Sequence, residues 1–346
     1  MIWMTWRQFR PAAITAGATL IALAAAVAAT RPTLLSLYTS AGLPACHTAC
    51  ATDANNFLGS VQSSYTGKIF YAGIGIMYLV PAAIGLFWGA PLIARELDSG
   101  TFRLAWSQSV TRARWATVKL VLIGGATMLT SGLMSLLIGW WSGPLYQAAN
   151  QAGPNILSIS RLSSKLFSTT GIVPLGYAAF AFALGAAAGL LLRRTLPAMA
   201  VTLAVFVAIQ VLVPLLVRPH LIPPVQTTRA VSAVQIGPAT LEADGSYRFG
   251  LLGISGQPGA WILGNRLVSA AGQTLTRLPS ACTGLGPPGS ALSSCLARHG
   301  IKIAVSYQPA SRYWELQSAE TSMYLLLAAG LGGLCYWAVR RRQRAA

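Results

Sequence analysis

Charge is scarce in this sequence. Only 9% of its 346 residues are Asp, Glu, Lys or Arg, and 54% are apolar, whereas a soluble domain usually has about 25% charged residues. Acidic residues are rarest, with seven against 25 basic ones and a net charge of +18. The basic residues punctuate apolar runs and form no single patch, which excludes a nucleic-acid partner. The composition therefore predicts a membrane protein in contact with anionic lipid.

Several enzyme motifs are also missing. The sequence has no Gly-x-x-x-x-Gly-Lys-[Ser/Thr] run and so no P-loop of its own. It has no His-Glu-x-x-His pair, and the lack of a nucleophile–base motif disfavours a membrane-bound hydrolase. The three histidines are expected to be solvated loop residues: His47, His220 and His299. We therefore expect no enzyme activity, bound metal or cofactor in this chain.

Six apolar runs are long enough to cross a bilayer, which takes about 20 residues. They lie at 11–30, 69–90, 120–141, 171–192, 195–217 and 321–339. The first could instead be a cleaved signal peptide, but it is longer than the usual apolar region of about 7–15 residues. Apart from Arg193 and Arg194 at a run's end, no ionisable residue interrupts these runs. Proton-coupled transporters usually carry such residues in the membrane, so energy is expected to enter from outside the spans.

The segments between the runs complete the predicted architecture. Residues 1–10 combine two Trp with two Arg, which predicts a short interfacial helix. Residues 31–67 and 142–170 are predicted polar loops. Residues 218–320 are rich in Gly, Pro and Ser and hold strand-like pieces at 246–252 and 301–307, with a hairpin turn at 243–245. We predict an α-helical polytopic membrane protein with a membrane domain (1–217), a small extracytoplasmic α+β or irregular domain between helices 5 and 6 (218–320), and a last helix with a basic tail (321–346).

Charge predicts the orientation. With the N-terminus inside, the two ends, the 91–119 loop and the Arg193–Arg194 turn are cytoplasmic and hold thirteen of the 25 basic residues. Basic residues near span ends mark the cytoplasmic side. We therefore predict a bacterial plasma-membrane protein with both termini cytoplasmic.

Four of the five cysteines fall in the predicted outer segments, where an oxidising compartment favours disulfides. Cys282 with Cys295 is the first expected pair and Cys46 with Cys50 the second, although four cysteines allow three connectivities. The run Cys46-His47-x-x-Cys50 also has the residue types of a metal site. Cys335 lies in the last span and is expected to be a free, packed thiol.

Two glycine motifs lie in the spans, Gly85-x-x-x-Gly89 and Gly185-x-x-x-Gly189. Such spacing lets two helices approach closely. The motifs do not reveal which helices meet.

The loop at 91–119 carries the most specific pattern. It contains Arg95-Glu96-x-x-Ser99-Gly100-Thr101, followed by Trp106-x-Gln108-Ser109-x-x-Arg112-x-x-Trp115 and Lys119. Together with the aromatic and basic N-terminus and the stretch 307–314 before the last span, this pattern resembles the ABC-2-type transporter permeases, and most of all their actinobacterial branch. In that family the loop forms short helices that dock on a separate ATPase subunit.

The resemblance implies the permease subunit of an ABC exporter for an amphipathic or hydrophobic substrate, as in multidrug or antibiotic efflux. The partner ATPase would bind ATP and Mg, and two permease chains, identical or pseudo-symmetric, would form the path. The residues expected to couple to the ATPase are Arg95, Glu96, Gly100, Thr101, Gln108 and Arg112. The alternative is a membrane-anchored signalling or assembly protein whose outer domain binds a partner without transport.

Overall fold

The computed structural model of the protein describes residues 2–46, 50–98, 112–152, 160–231, 234–241, 247–275, 279–282 and 290–341. Within these ranges, six helical stretches are long and apolar enough to cross a membrane. We number them spans 1 to 6: Phe9–Ser40, Tyr65–Arg95, Arg114–Trp141, Val173–Leu192, Thr195–Leu221 and Ala310–Arg341. Each includes most or all of one predicted apolar run, so the protein is a polytopic helical membrane protein.

The helices extend beyond the apolar runs. In chain order they are α1 (Ile2–Ser40), α2 (Ala51–Ser63), α3 (Tyr65–Ala83), α4 (Ala90–Asp98), α5 (Arg112–Trp141), α6 (Gly143–Ala152), α7 (Ser164–Phe167), α8 (Val173–Leu192), α9 (Thr195–Leu212), α10 (Arg218–Leu221), α11 (Ser290–Arg298) and α12 (Tyr313–Arg341). Two π-helical stretches, Ile84–Gly89 and Val213–Val217, lie within spans 2 and 5. Each begins within three residues of a proline, Pro81 or Pro214, whose missing N–H and bulky ring perturb the helical hydrogen bonds.

The first helix differs from the prediction at both ends. It is continuous from Ile2, so residues 1–10 form no separate interfacial helix, and it runs ten residues past Thr30 into the predicted loop. Two tryptophans at the end of span 3 stabilise this extension. Trp141 Nε1 donates a 3.0 Å hydrogen bond to Thr30 Oγ1, and the Arg31 guanidinium lies 3.7 Å from the Trp140 ring centroid. A charged residue next to the apolar run is thus accommodated by a cation–π contact.

The segment between spans 5 and 6 is rich in strands. They are β1 (Val225–Ala230), β2 (Val234–Leu241), β3 (Tyr247–Ile254), β4 (Trp261–Val268), β5 (Thr274–Leu275) and β6 (Lys302–Gln308). One sheet has the order β1-β6-β4-β5, and β2 pairs with β3, all antiparallel. The predicted strand pieces match β3 and β6, while the predicted turn at 243–245 lies outside the described residues. Residues 218–221 and 310–320 are helical. The strand-rich segment therefore occupies about 222–309 and is shorter than the predicted outer domain of 218–320.

The two ends of the helical bundle have different buried clusters. At the end where span 2 leads into the loop and span 3 leaves it, which we call the loop end, one buried apolar cluster contains Ile93, Trp115, Leu190 and Val339. At the opposite end, which we call the sheet end, a second cluster joins Phe167, Val173 and Tyr313 to Leu221 and Ile222, where the chain enters the sheet. The loop between spans 2 and 3 and the strand-rich segment therefore lie at opposite ends.

The structure joins Cys46 to Cys50 and Cys282 to Cys295, with Cα atoms 5.8 Å apart in each pair. These are the two pairings expected from the sequence. Cys335 is a buried free thiol. His299 lies near Cys282 and Cys295, but their disulfide leaves no thiolate to bind a metal.

Candidate functional site

A buried ion pair lies at the sheet end of the bundle. Arg218 Nε donates to Glu320 Oε2 at 2.7 Å and Arg218 Nη2 donates to Glu320 Oε1 at 2.9 Å. The guanidinium and the carboxylate therefore meet through two parallel hydrogen bonds, the strongest geometry for such a pair. Their side chains are 1% and 0% exposed, so the pair is shielded from water.

Neighbouring side chains make further hydrogen bonds to both members of the pair. The Tyr177 hydroxyl donates to Glu320 Oε1 at 2.6 Å, and Arg218 Nη2 donates to Ser168 Oγ at 2.8 Å. The Phe167 ring lies under the guanidinium, 4.4 Å from Cζ. Buried charges are stable only when paired and hydrogen-bonded in this way. The site thus joins span 4, the end of span 5 and span 6.

Gln317 fastens the start of span 4 to span 6. Its Oε1 accepts hydrogen bonds from the N–H groups of Ile172 and Val173, both at 3.0 Å. Its Nε2 donates to the carbonyls of Phe167 and Thr170. The first N–H groups of a helix have no partner within the helix, and this side chain supplies one from 144 residues away in sequence. We call Ser168, Tyr177, Arg218, Gln317 and Glu320 the sheet-end network.

Gly171 makes this approach possible. Its φ of +76° suits glycine, and a Cβ there would lie 2.7 Å from both Gln317 Oε1 and the Tyr313 hydroxyl. A side chain at position 171 would push Gln317 away from the start of span 4.

Three of the six predicted coupling residues are described, and they lie at the opposite end of the bundle. Arg95 is exposed on the last turn of α4, Glu96 is the next residue of that helix, and Arg112 begins α5. Gly100, Thr101 and Gln108 lie outside the described residues. The roles of all six in docking stay predictions. The structure does show that buried Trp115 packs in the same cluster as Ile93, which holds the two arms of the loop together.

The two glycine motifs meet each other. A Cβ on Gly185 would collide with the backbone of Gly85 and lie 2.7 Å from the Ala90 nitrogen. One on Gly189 would lie 2.5 Å from the Ala90 carbonyl oxygen, and one on Gly89 would lie 2.6 Å from that of Phe182. Span 4 therefore touches, backbone to backbone, the part of span 2 that leads into the loop.

Span 4 connects the two ends of the molecule. In its apolar stretch 78% of the residues are buried, against 33% or less in every other span. Its loop end packs against α4 through the glycines, and its sheet end holds Tyr177 in the network. Close-packed interiors transmit strain, so a displacement of α4 would also displace or strain span 4.

Sequence reasoning missed the network. Arg218 and Glu320 each lie one residue beyond a predicted run, so the spans were predicted to be free of ionisable groups, and this was wrong. The available signal was that an arginine directly follows one apolar run and a glutamate directly precedes another. The pair lies at one end of the bundle, and the other buried charged residue among those described, Lys119, lies near the loop end. Among the described residues, buried charged side chains therefore lie at the two ends of the bundle.

These features define a polytopic membrane protein whose central helix, span 4, packs against the part of span 2 that leads into the loop between spans 2 and 3. A family profile described as "ABC-2 membrane transporter related" matches residues 17–218, more than half of the chain. The chain therefore belongs to this ABC-2-related family of membrane transporter subunits. No curated protein and no solved structure gives a significant match. The match confirms the resemblance to ABC-2-type permeases, while the actinobacterial branch stays a prediction.

Proposed function

We propose that the chain is the permease subunit of an ABC exporter, driven by a separate ATPase subunit that binds ATP and Mg. The observation that carries the proposal is the family match over 17–218, which includes spans 2 to 4, most of spans 1 and 5, and the loop between spans 2 and 3. Two permease chains, identical or related, would enclose a path for an amphipathic or hydrophobic compound. The loop end would face the cytoplasm, with both termini, and the sheet would face outward.

The packing supports a route for the free energy of ATP hydrolysis. The ATPase would grip the loop around Glu96 and displace α4. Span 4 touches α4 through its glycines and ends in the sheet-end network. ATP-driven closure of the ATPase can only shift the spans by favouring one arrangement over another. We propose that the network stabilises the resting arrangement at the outer end and is rearranged in each cycle.

The test is to co-express the chain with the products of the adjacent reading frames, to purify any complex with a P-loop ATPase, and to measure complex recovery and substrate-stimulated hydrolysis. Glu96→Ala should leave the protein folded and inserted but lower stimulation, because the loop would lose a carboxylate expected to cap the helix that the sequence predicts after Gly100. Gly100→Val should be worse, since a β-branched residue resists the positive φ expected at a helix stop. Asp98→Ala, with the same loss of charge two residues away from Glu96, is the matched control and should be mild. Wild-type values for Glu96→Ala and Gly100→Val would argue against coupling through this loop.

The alternative is a signalling or assembly protein that binds a partner through its outer segment. The observation that favours it is the strand-rich segment at 222–309, which lies beyond the family match. An adjacent reading frame without a P-loop ATPase, together with a chain that stimulates no hydrolysis, would support this second function.

A further inference from the structure

The two faces of the β1-β6-β4-β5 sheet differ sharply. Residues of alternating position in a strand point to opposite faces. On one face Ile303, Val305 and Tyr307 of β6 are buried, in a cluster that includes Leu296 of α11. The second face lies on the other side of these strands and is partly open to solvent.

The open face is a trough with a low floor. In the register, Ser306 pairs with Gln226 on one side and Gly264 on the other, and Ala304 pairs with Thr228 and Arg266. The two inner strands thus supply only the small residues Gly, Ala and Ser at the centre, apart from Arg266 at the rim. The result is a cavity of about 350 Å³, near the lower end of the range of small-molecule sites. We call it the sheet trough: Gln226, Thr228, Gly264, Arg266, Ala304 and Ser306.

The charged residues of the strands around the trough are all basic. The described strands contain four basic residues and no acidic one: Arg229, Arg248, Arg266 and Lys302. Arg266 is exposed at the rim of the trough and forms no ion pair with any described residue. Lys302 is exposed two residues before Ala304 and so points to the same face. The Arg266 side chain and the polar groups of Gln226, Thr228 and Ser306 therefore line one cavity, and Lys302 adds a second positive charge beside it on the same face.

We propose that the sheet trough binds a small water-soluble organic anion that carries a carboxylate or phosphate group. The planar guanidinium of an arginine donates two parallel hydrogen bonds to such groups, and the neighbouring hydroxyls and amide donate to the remaining oxygens. The trough stands away from the bilayer, because Ala304 lies six residues before Ala310, where span 6 starts, and an extended chain covers about 20 Å over six steps. A dissolved compound reaches it more readily than a lipid headgroup held in the membrane.

The test uses the full chain in nanodiscs of neutral phosphatidylcholine, titrated by calorimetry with glycerol 3-phosphate, with glutarate, and with glycerol as the uncharged control. We expect saturable 1:1 binding of at least one anion and none of glycerol. Arg266→Gln should weaken binding about tenfold or more, as expected for losing hydrogen bonds from a charged donor. Ala304→Leu should abolish binding by filling the floor while every charge stays in place. Arg229→Gln is the matched control, because it removes the same charge from β1 on the side of the sheet away from the trough, and it should change the Kd less than twofold.

Three results would overturn the proposal. The first is no saturable binding of either anion to the wild-type chain. The second is equal weakening by Arg229→Gln and Arg266→Gln, which would mean general attraction by a basic protein. The third is binding only to phosphatidylglycerol added to the nanodiscs and not to the soluble anions, which would assign the surface to lipid. Arg266 is exposed, so its substitution should leave folding unchanged, and the melting temperature of each variant checks this.

Discussion

Arg218 and Glu320 are 102 residues apart in sequence, yet the guanidinium of one donates two hydrogen bonds to the carboxylate of the other, at 2.7 and 2.9 Å. Both side chains are almost completely buried. Removing charges from water is costly, and their attraction offsets this only when the geometry is good and further hydrogen bonds satisfy the remaining polar atoms. Tyr177 and Ser168 each supply one such bond here. The burial of each charge therefore depends on the presence of the other.

The first prediction is that removing one member of this pair destabilises the protein more than removing both. Arg218→Met or Glu320→Leu alone leaves a buried charge uncompensated, at a cost of about 3–5 kcal/mol. The double variant, Arg218→Met with Glu320→Leu, should lose less than either single one. Unfolding by denaturant in detergent measures all three against the wild type. Additive losses would show that the two residues act independently.

The same double variant tests the proposed role of the network in transport. If the network stabilises the resting arrangement, the double variant should remain folded and show raised ATP hydrolysis without substrate. Unchanged basal hydrolysis in the folded double variant would restrict the network to a structural role.

The second prediction concerns the glycine contact between spans 2 and 4. Gly185→Ala should lower stability and ATPase coupling, because the new methyl group meets the backbone at Gly85 and Ala90. Gly125→Ala in span 3 is the matched control, since nothing lies within 4 Å of its added Cβ. There the change should be neutral or stabilising by up to about 1 kcal/mol, as alanine favours helices over glycine. Equal melting temperatures for the two variants would mean that the spans separate easily.

The third prediction is the orientation. Single cysteines in place of Asn56 and Ser255, in a background without native cysteines, should react with an impermeant thiol reagent in whole cells. Both positions are exposed at the sheet end. A cysteine in place of Ser107, in the loop between spans 2 and 3, should react only after the membrane is opened. Labelling of the Ser107 position alone would invert the topology.

The fourth prediction is the state of the thiols in protein from its native membrane. Unreduced peptide mapping should find Cys282 linked to Cys295 and Cys46 to Cys50, with Cys335 alkylated only after unfolding. Closing a loop of the length between Cys282 and Cys295 contributes about 3 kcal/mol in the chain-entropy model, so replacing this pair with serine should lower the melting temperature. Free thiols at both Cys282 and Cys295 would contradict the predicted oxidising location, and cross-linked peptides between the two loops would contradict the pairing.

The spans could be predicted because twenty consecutive apolar residues have few other uses. Their ends could not, because helices continue where a single side chain finds a partner in the fold. In span 1 the Arg31 guanidinium lies over the Trp140 ring, and the helix continues past it. In span 6 the buried Glu320 carboxylate is paired with Arg218. Such partners are distant in sequence, so the apolar pattern can mark a charged residue at the end of a run but cannot identify its partner.

The glycine motifs show the same limit in another form. Their spacing predicted that helices approach closely, and the structure shows that the two motifs face one another. Spacing describes one helix surface at a time, whereas a contact depends on two. The residues at 99–111, which include three of the six predicted coupling residues, lie outside those described, so that part of the candidate site still depends on the sequence pattern.

The family match ends at Arg218, while the carboxylate that neutralises this arginine belongs to the part of the chain beyond the match. The boundary between the two parts is therefore not a place where the protein can be cut and spliced freely. A chimera that keeps residues 1–218 and takes its remainder from another permease would place an unneutralised guanidinium in its interior, unless the donor supplies an acid at the position of Glu320. Segment exchange between such transporters should succeed when positions 218 and 320 are moved together.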